Sequence, residues 1–194
     1  MAAAELIRKA KAEGRTALTE AESKAVLKQY GVPVVEEKIA ATLEEAVAAA
    51  EEIRFPVVLK GLGAKLTHKT ERGLVRLNLK DAGDVRRAAK QVAASAGADL
   101  EGYLIQPMLS GRREFVAGLS CDPQFGPVVM FGLGGIFTEA LDDVAFSIAP
   151  VDENHAGRMI DELRAKMLLG PFRGEAAAAR DQLVRVLVGL SRIS

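Results

Sequence analysis

Cysteine and histidine are scarce in this 194-residue chain: one Cys, Cys121, and two His, His68 and His155. A single thiol excludes an internal disulfide and fits a reducing compartment. So few soft ligands leave no Cys/His cluster with zinc spacing. G-x-S-x-G is missing, which argues against an orthodox nucleophile–base triad. Net charge is missing too: Lys plus Arg (26) equals Asp plus Glu (26), so no global field favours nucleic acid. No apolar run approaches the ~20 residues needed to span a bilayer. The stretch from Met1 to Lys11 alternates alanine with charge and lacks a signal-peptide h-region. These absences predict a cytoplasmic protein with neither a membrane nor a nucleic-acid partner. Two phosphate-binding signatures also fail. Gly63 lies six residues before Lys69-Thr70, but His68 stands where the second glycine of a P-loop belongs. Gly132-Leu133-Gly134-Gly135 opens like G-x-G-x-x-G, but Phe137 stands where the last glycine belongs.

What is present is a globular composition, 49% apolar and 27% charged, enough for one or two domains with a substantial core. The spacing predicts a short Ala-rich helix over 2–13. Thr19-Glu20-Ala21-Glu22 is a capping box, so a helix should run to Tyr30 and stop at Gly31, with Pro33 beyond. Val34 to Ala40 reads as a strand. Thr42-Leu43-Glu44-Glu45 repeats the capping box before a helix over 43–53. A strand over 55–60, a loop over 61–70 and a strand over 74–79 follow, the last with Val75, Leu77 and Leu79 on one face. A helix from Asp81 to Ser95 ends at Gly97. Strands are expected over 103–108, 113–120, 127–132 and 144–149, with a turn over 122–126. Asp152-Glu153 should start a helix reaching Leu169, and Glu175 to the end should be helical, with a stripe of Leu183, Val186, Leu187 and Leu190. This is an α+β chain of two mixed lobes: an extension over 1–18, a first lobe over 19–102 and a second over 103–194.

Val57-Val58-Leu59-Lys60 ends a β-branched run in a lysine, and the glycine-containing loop that follows carries His68. A strand gives the lysine a fixed origin, and a loop gives the histidine freedom to move. The pair suggests a cation that holds a phosphate beside a nucleophile that could accept one. Read alone, Lys60 is a solvated lysine at a strand end and His68 a surface residue. Farther on, Gln106-Pro107-Met108-Leu109 is a proline-containing corner between strands. Such a corner offers adenine an apolar slot with backbone amide and carbonyl groups. Glu114 could accept from ribose hydroxyls or serve as a cross-strand ion-pair partner. Gly132, Gly134 and Gly135 allow either a tight turn or a close approach to phosphates. Glu139 and Asp143 read equally as site residues or a solvated loop, and His155 reads as a first-turn helix residue.

In this order and spacing, three segments resemble the ATP-grasp subunit or domain of the ADP-forming acyl-CoA synthetases, such as acetate–CoA ligase. They are Phe55-Pro56-Val57-Val58-Leu59-Lys60, Thr67-His68-Lys69-Thr70, and the run from Asp122 to Gly135. Gly170-Pro171-Phe172-Arg173-Gly174 loosely matches a Gly-x-Arg-Gly element. Gly73 is followed by Leu74 where the family often has a second glycine. The resemblance implies an ATP-grasp fold with ATP or ADP bound between the lobes. It implies that Lys60 binds phosphate, that Gln106, Pro107, Met108 and Leu109 form the adenine hinge, and that Glu114 binds ribose. It implies that His68 rides a swinging loop and carries a phosphoryl group from a CoA-binding, alpha-type partner, where acyl phosphate forms. A nucleotide-binding regulatory subunit without turnover and a succinyl-CoA synthetase-like β subunit are the alternatives. The family's Mg²⁺ ligands are expected beyond Ser194, which leaves no metal ligand in this chain. Without the strands expected alongside those ligands, the second lobe's sheet should keep an unpaired edge and an uncovered face, hence dimerisation, strand exchange or low stability.

Overall fold

The computed structural model describes residues 2–64, 66, 70–111, 113–135, 142–172 and 174–194. Among them the fold is α+β, with six α-helices and two antiparallel sheets. It divides into two compact units. One comprises Ala3–Lys24 and Val35–Ser110, the other Ala25–Val34 and Gly111–Ser194.

The first unit holds α1 (Ala3–Ala12), the first turns of α2 (Glu20–Gln29), α3 (Leu43–Ile53) and α4 (Ala82–Ala96). Its four-stranded sheet has the order β1-β4-β2-β3, from β1 (Lys38–Ala40), β2 (Val57–Leu62), β3 (Val75–Leu79) and β4 (Gly102–Pro107). Local chemistry sets the helix starts. Thr19 and Glu22 exchange bonds as a capping box, with Glu22 Oε2 accepting from the Thr19 N–H at 2.8 Å and Thr19 Oγ1 from the Glu22 N–H at 3.3 Å. Thr42 accepts from the Glu45 N–H at 3.2 Å and Asp81 from the Asp84 N–H at 2.8 Å. Val57 and Leu59 on β2 join Tyr103 and Ile105 on β4 in one core under α3 and α4. The opposite parity, Val58, Lys60, Leu104 and Gln106, therefore occupies the other face of those strands.

Four expectations are corrected here. The strand over 34–40 is reduced to β1. The β2 strand continues two residues past Lys60, because Gly61 and Leu62 pair with Tyr103 and Gly102. In β3 the alternation fails: Leu77 is 59% exposed, whereas Leu74 and Leu79 are buried. A bulge is the cause. Val57 pairs with Leu79 and Leu59 with Arg76, so β3 has one extra residue, and Asn78 takes a φ of 57°. One inserted residue exchanges the faces of a strand. Finally, β4 lies in the middle of the first sheet, so residues 103–110 belong with the first unit rather than opening the second.

The second unit is a meander of β5 (Phe115–Asp122), β6 (Gly126–Leu133) and β7 (Val144–Ile148), with α5 (Glu153–Glu162) and α6 (Arg180–Ser191). Val129, Phe131 and Ala145 pack on one sheet face against Met159, Ile160, Leu163 and Leu187, and the rings of Phe115 and Phe131 stack at 5.8 Å. Leu187 and Leu190 are buried, so the apolar stripe of the last helix lies in this core, not exposed. The other sheet face presents Phe146 and Ile148, 61% and 53% exposed, beside a shallow depression of about 250 Å³.

Two helices are shorter than periodicity predicts. Helix α5 ends at Glu162, and a 3₁₀ helix, Lys166–Leu169, follows a break. The Asp143 carboxylate takes the N–H groups of Arg164 and Ala165 at 2.8 Å each, so they cannot continue the helix ladder. Residues 175–179 are not helical, although alanine favours helix. Arg113 donates to the carbonyls of Leu168 (2.6 Å), Gly170 (2.8 Å) and Ala176 and pairs with Glu175 at 3.2 Å. Phe172 and Glu175 form a two-residue bridge, and the Ala178 N–H bonds the Leu169 carbonyl at 2.8 Å. These tertiary contacts override a weak local preference.

Candidate nucleotide site

Lys60 and Gln106 stand on adjacent antiparallel strands. Val58 is paired with Gln106 and Lys60 with Leu104, so the two polar side chains share a face two residues apart. That face carries ionised groups from elsewhere in the chain. Lys60 Nζ donates to Glu20 Oε1 at 2.5 Å. Lys24, one turn along α2, donates to the same oxygen at 3.1 Å, to Gln106 Oε1 at 3.2 Å and to the Glu37 carboxylate. The five side chains form one half-buried alternating network. Burial opposes the charge on Glu20, but the bonds from Lys60 and Lys24 outweigh it and hold the carboxyl at about 2. Burial also opposes the charge on Lys24, and its bonds to Glu37 and Glu20 raise it above the usual lysine value.

Glu20, Lys24 and Glu37 carried no signal in the sequence beyond a capping box and ordinary surface charge. The start of α2 brings the first two to Lys60, and no local rule reports a contact spanning forty residues. One cue was available: Glu20 and Lys24 are spaced i, i+4 and so share a helix face.

The hinge residues follow directly. Gln106 and Pro107 end β4, and the Met108 N–H donates to the Pro56 carbonyl at 3.0 Å. The Met108 amide is thus engaged inside the protein. Leu109 is 61% exposed, and among the described residues no partner takes its N–H.

Glu114 belongs to the second unit, where the structure gathers it with the glycine run. The Gly134 N–H donates to the Glu114 carbonyl at 2.7 Å. A Cβ on Gly134 would come within 3.0 Å of the Glu114 and Phe115 carbonyl carbons, and one on Gly135 within 2.9 Å of Glu114 Oε2. A Cβ on Gly132 would meet Val144 Cγ1 at 2.6 Å. Close approach to β7 and β5 thus already accounts for glycine at 132 and 134, and a φ of 66° favours it at 135. Asp143 is buried rather than solvated, and its carboxylate is committed to the turn after α5. His155 lies in the first turn of α5, where its N–H donates to Asp152 at 2.7 Å and its Nε2 is 3.0 Å from Ser147 Oγ. His68, Phe137, Glu139 and Arg173 lie outside the described residues.

Among the described residues there is no group of three or more His, Cys, Asp or Glu side chains that could hold a metal ion. A polar groove of about 520 Å³ between α5 and α6, lined by Arg158, Asp161, Arg180 and Arg185, contains none of the predicted site residues. No described helix is long and apolar enough to cross a membrane.

Comparison with known proteins extends this picture. The model of the ATP-grasp domain family matches residues 9–194. The beta subunit of acetate–CoA ligase [ADP-forming] II from Pyrococcus furiosus is 42% identical, over 98% of this chain and 83% of that subunit. The structure of Ca. Korarchaeum cryptofilum ACD1 in complex with coenzyme A superposes with a TM-score of 0.93 at 40% identity, covering 99% of this chain and 86% of that one. Another structure is the acetyl-coenzyme A synthetase 1 of the same organism with coenzyme A and Mg-AMPPCP. There a phosphohistidine segment points towards the nucleotide binding site; its TM-score is 0.87 at 39% identity, over 99% of this chain and 85% of that one. With its two antiparallel sheets and its Lys60–Gln106 face, the chain belongs to the ATP-grasp family, in the group of the beta subunits of ADP-forming acetate–CoA ligases.

Proposed function

We propose that this chain is the nucleotide-binding subunit of an ADP-forming acyl-CoA synthetase, moving a phosphoryl group between a phosphohistidine and ADP. The juxtaposition of Lys60 and Gln106 on one face of β2 and β4 carries this reading, in a chain that matches such a subunit over 98% of its own length and 83% of the subunit's. Lys60 holds a phosphate through a charge-assisted contact. Gln106, Pro107, Met108 and Leu109 receive the adenine, with the Leu109 amide as the exposed donor, and Glu114 accepts from the ribose hydroxyls. Gly132, Gly134 and Gly135, which let the chain pass close to Val144 and Glu114, contribute phosphate or loop contacts. His68 carries the phosphoryl group. In the ATP-forming direction an oxygen of the ADP β-phosphate attacks phosphorus, the N–P bond breaks, and the electron pair returns to the imidazole nitrogen. A neutral imidazole is a competent nucleophile for the reverse step near pH 7.

The phosphohistidine is charged on a partner, an alpha-type CoA-binding subunit where acyl phosphate forms. The chain works in the cytoplasm, a placement supported by its one free, exposed thiol.

Calorimetry with ADP tests the site. A charge-assisted contact is worth about 1.5–3 kcal/mol, so Lys60→Ala should weaken ADP by roughly tenfold to more than a hundredfold. Equal affinity in both proteins overturns the assignment of Lys60. With the CoA-binding partner and acyl-CoA, ADP and phosphate, an acid-labile, base-stable phosphoadduct should form and vanish in His68→Ala. Label confined to the partner's histidine overturns the carrier role.

A further inference from the structure

We infer that Glu20 is an internal counter-ion that occupies Lys60 in the absence of nucleotide and that an incoming phosphate must displace. The inference rests on the nucleotide reading above and adds a residue that the reading does not contain. Its basis is the geometry of the network. Lys60 Nζ and Glu20 Oε1 are 2.5 Å apart, and both side chains are only about a quarter exposed or less. A phosphate oxygen that bonds Lys60 would approach a carboxylate already in contact with the same ammonium group.

Glu20 cannot retreat far. It lies in the first turn of α2, whose start is held by the Thr19–Glu22 capping box and by Arg15, which bonds both Glu22 oxygens at 2.8 and 2.9 Å. Nor does it become a lone buried charge when Lys60 leaves. Lys24 stays bonded to it at 3.1 Å, and the positive N-terminal end of α2 lies beneath it. Losing one partner of a half-buried pair is costly when the remaining charge has no other contact; here the second lysine removes most of that cost. Lys24 in turn keeps Glu37 and Gln106. The network therefore has a second arrangement open to it, with Lys60 on phosphate and Glu20 on Lys24. The exchange lowers the net affinity for phosphate and keeps Lys60 placed when the site is empty.

Glutamine at position 20 keeps the shape and one acceptor but removes the competing charge. Calorimetry with ADP and, separately, adenosine on the whole chain tests this. In Glu20→Gln the dissociation constant for ADP should fall about 1.5-fold to fivefold, the range of a partly screened ion pair, and adenosine should bind as in the wild type. Glu20→Asp, which restores the charge on a shorter arm, should lose most of the gain. ADP binding to Glu20→Gln no tighter than to the wild type overturns the inference while leaving the nucleotide site intact. Failure of the wild type to bind ADP overturns the nucleotide reading and this inference with it. A measurement on the wild type does not depend on the variant folding. The ¹³C resonance of the Glu20 carboxyl should shift when ADP is added and stay in place with adenosine; no shift at saturating ADP overturns the exchange.

Discussion

Asp143 offers the sharpest test of how the second unit is held. Its carboxylate is 6% exposed and takes the Arg164 and Ala165 N–H groups at 2.8 Å each, stopping α5 and aiming the chain into the following 3₁₀ helix. A net hydrogen bond to a charged group contributes about 1.5–3 kcal/mol. Asparagine keeps one acceptor oxygen, so Asp143→Asn should cost about 1.5–3 kcal/mol. Alanine keeps neither, so Asp143→Ala should cost about 3–5 kcal/mol, below twice the single bond because water reaches the exposed side of the turn. With a urea slope of about 2 kcal/mol/M, the asparagine variant should unfold roughly 1 M earlier by circular dichroism, with the slope unchanged. The pH dependence has a definite sign. Burial raises the Asp143 value, but the two backbone bonds and the Arg164 guanidinium outweigh it, so the folded value is lowered. A depressed carboxyl contributes fully above its unfolded value of about 3.9 and loses that contribution as pH falls through the folded one. The gap between wild type and Asp143→Asn should therefore be constant near neutrality and close in acid. An asparagine variant within about 0.5 kcal/mol of wild type, smaller than one bond, refutes the reasoning, and so does an alanine variant no worse than the asparagine one.

Three further outcomes follow from the same contacts. The Glu20 carboxyl should titrate near 2, and in Lys60→Met its ¹³C midpoint should rise towards the ordinary carboxylate range; the pair's stabilisation is present above that range and is lost as pH falls towards 2. Arg113→Lys should speed amide exchange at Phe172, Glu175 and Ala178 at least tenfold, about 1.4 kcal/mol or more, because a point charge cannot serve three carbonyls as a guanidinium fork does. Gly189→Ala should destabilise by about 1–3 kcal/mol in thermal melts despite alanine's better helix propensity. A Cβ there would stand 2.5 Å from Val32 Cγ2 and 2.9 Å from the Tyr30 carbonyl oxygen.

Which parts of this protein could be read from its residues depends on the distance over which each was decided. Helix α3 begins and ends where Thr42, Glu45 and the alanine-rich run say it should, because a cap and its helix lie within a few residues of each other. The same holds for α4 between Asp81 and Gly97. Lys60 and the Gln106 corner were legible as motifs in order, and pairing β2 with β4 places the two on one face. Other features were settled at long range. The inserted residue in β3 exchanged its buried and exposed faces, so Leu77 faces water although period-two alternation puts it with Val75 and Leu79. Residues 175–179 follow the carbonyl demands of Arg113, more than sixty residues earlier, rather than the helix propensity of alanine. The Glu20–Lys60–Lys24–Glu37 network was invisible for the same reason. Each charge is unremarkable in its own neighbourhood, and only the tertiary fold brings Glu20 and Lys60 to 2.5 Å. Local hydrogen-bond competition is written in short stretches of sequence, whereas which charge meets which is set by the burial of apolar surface across the whole unit.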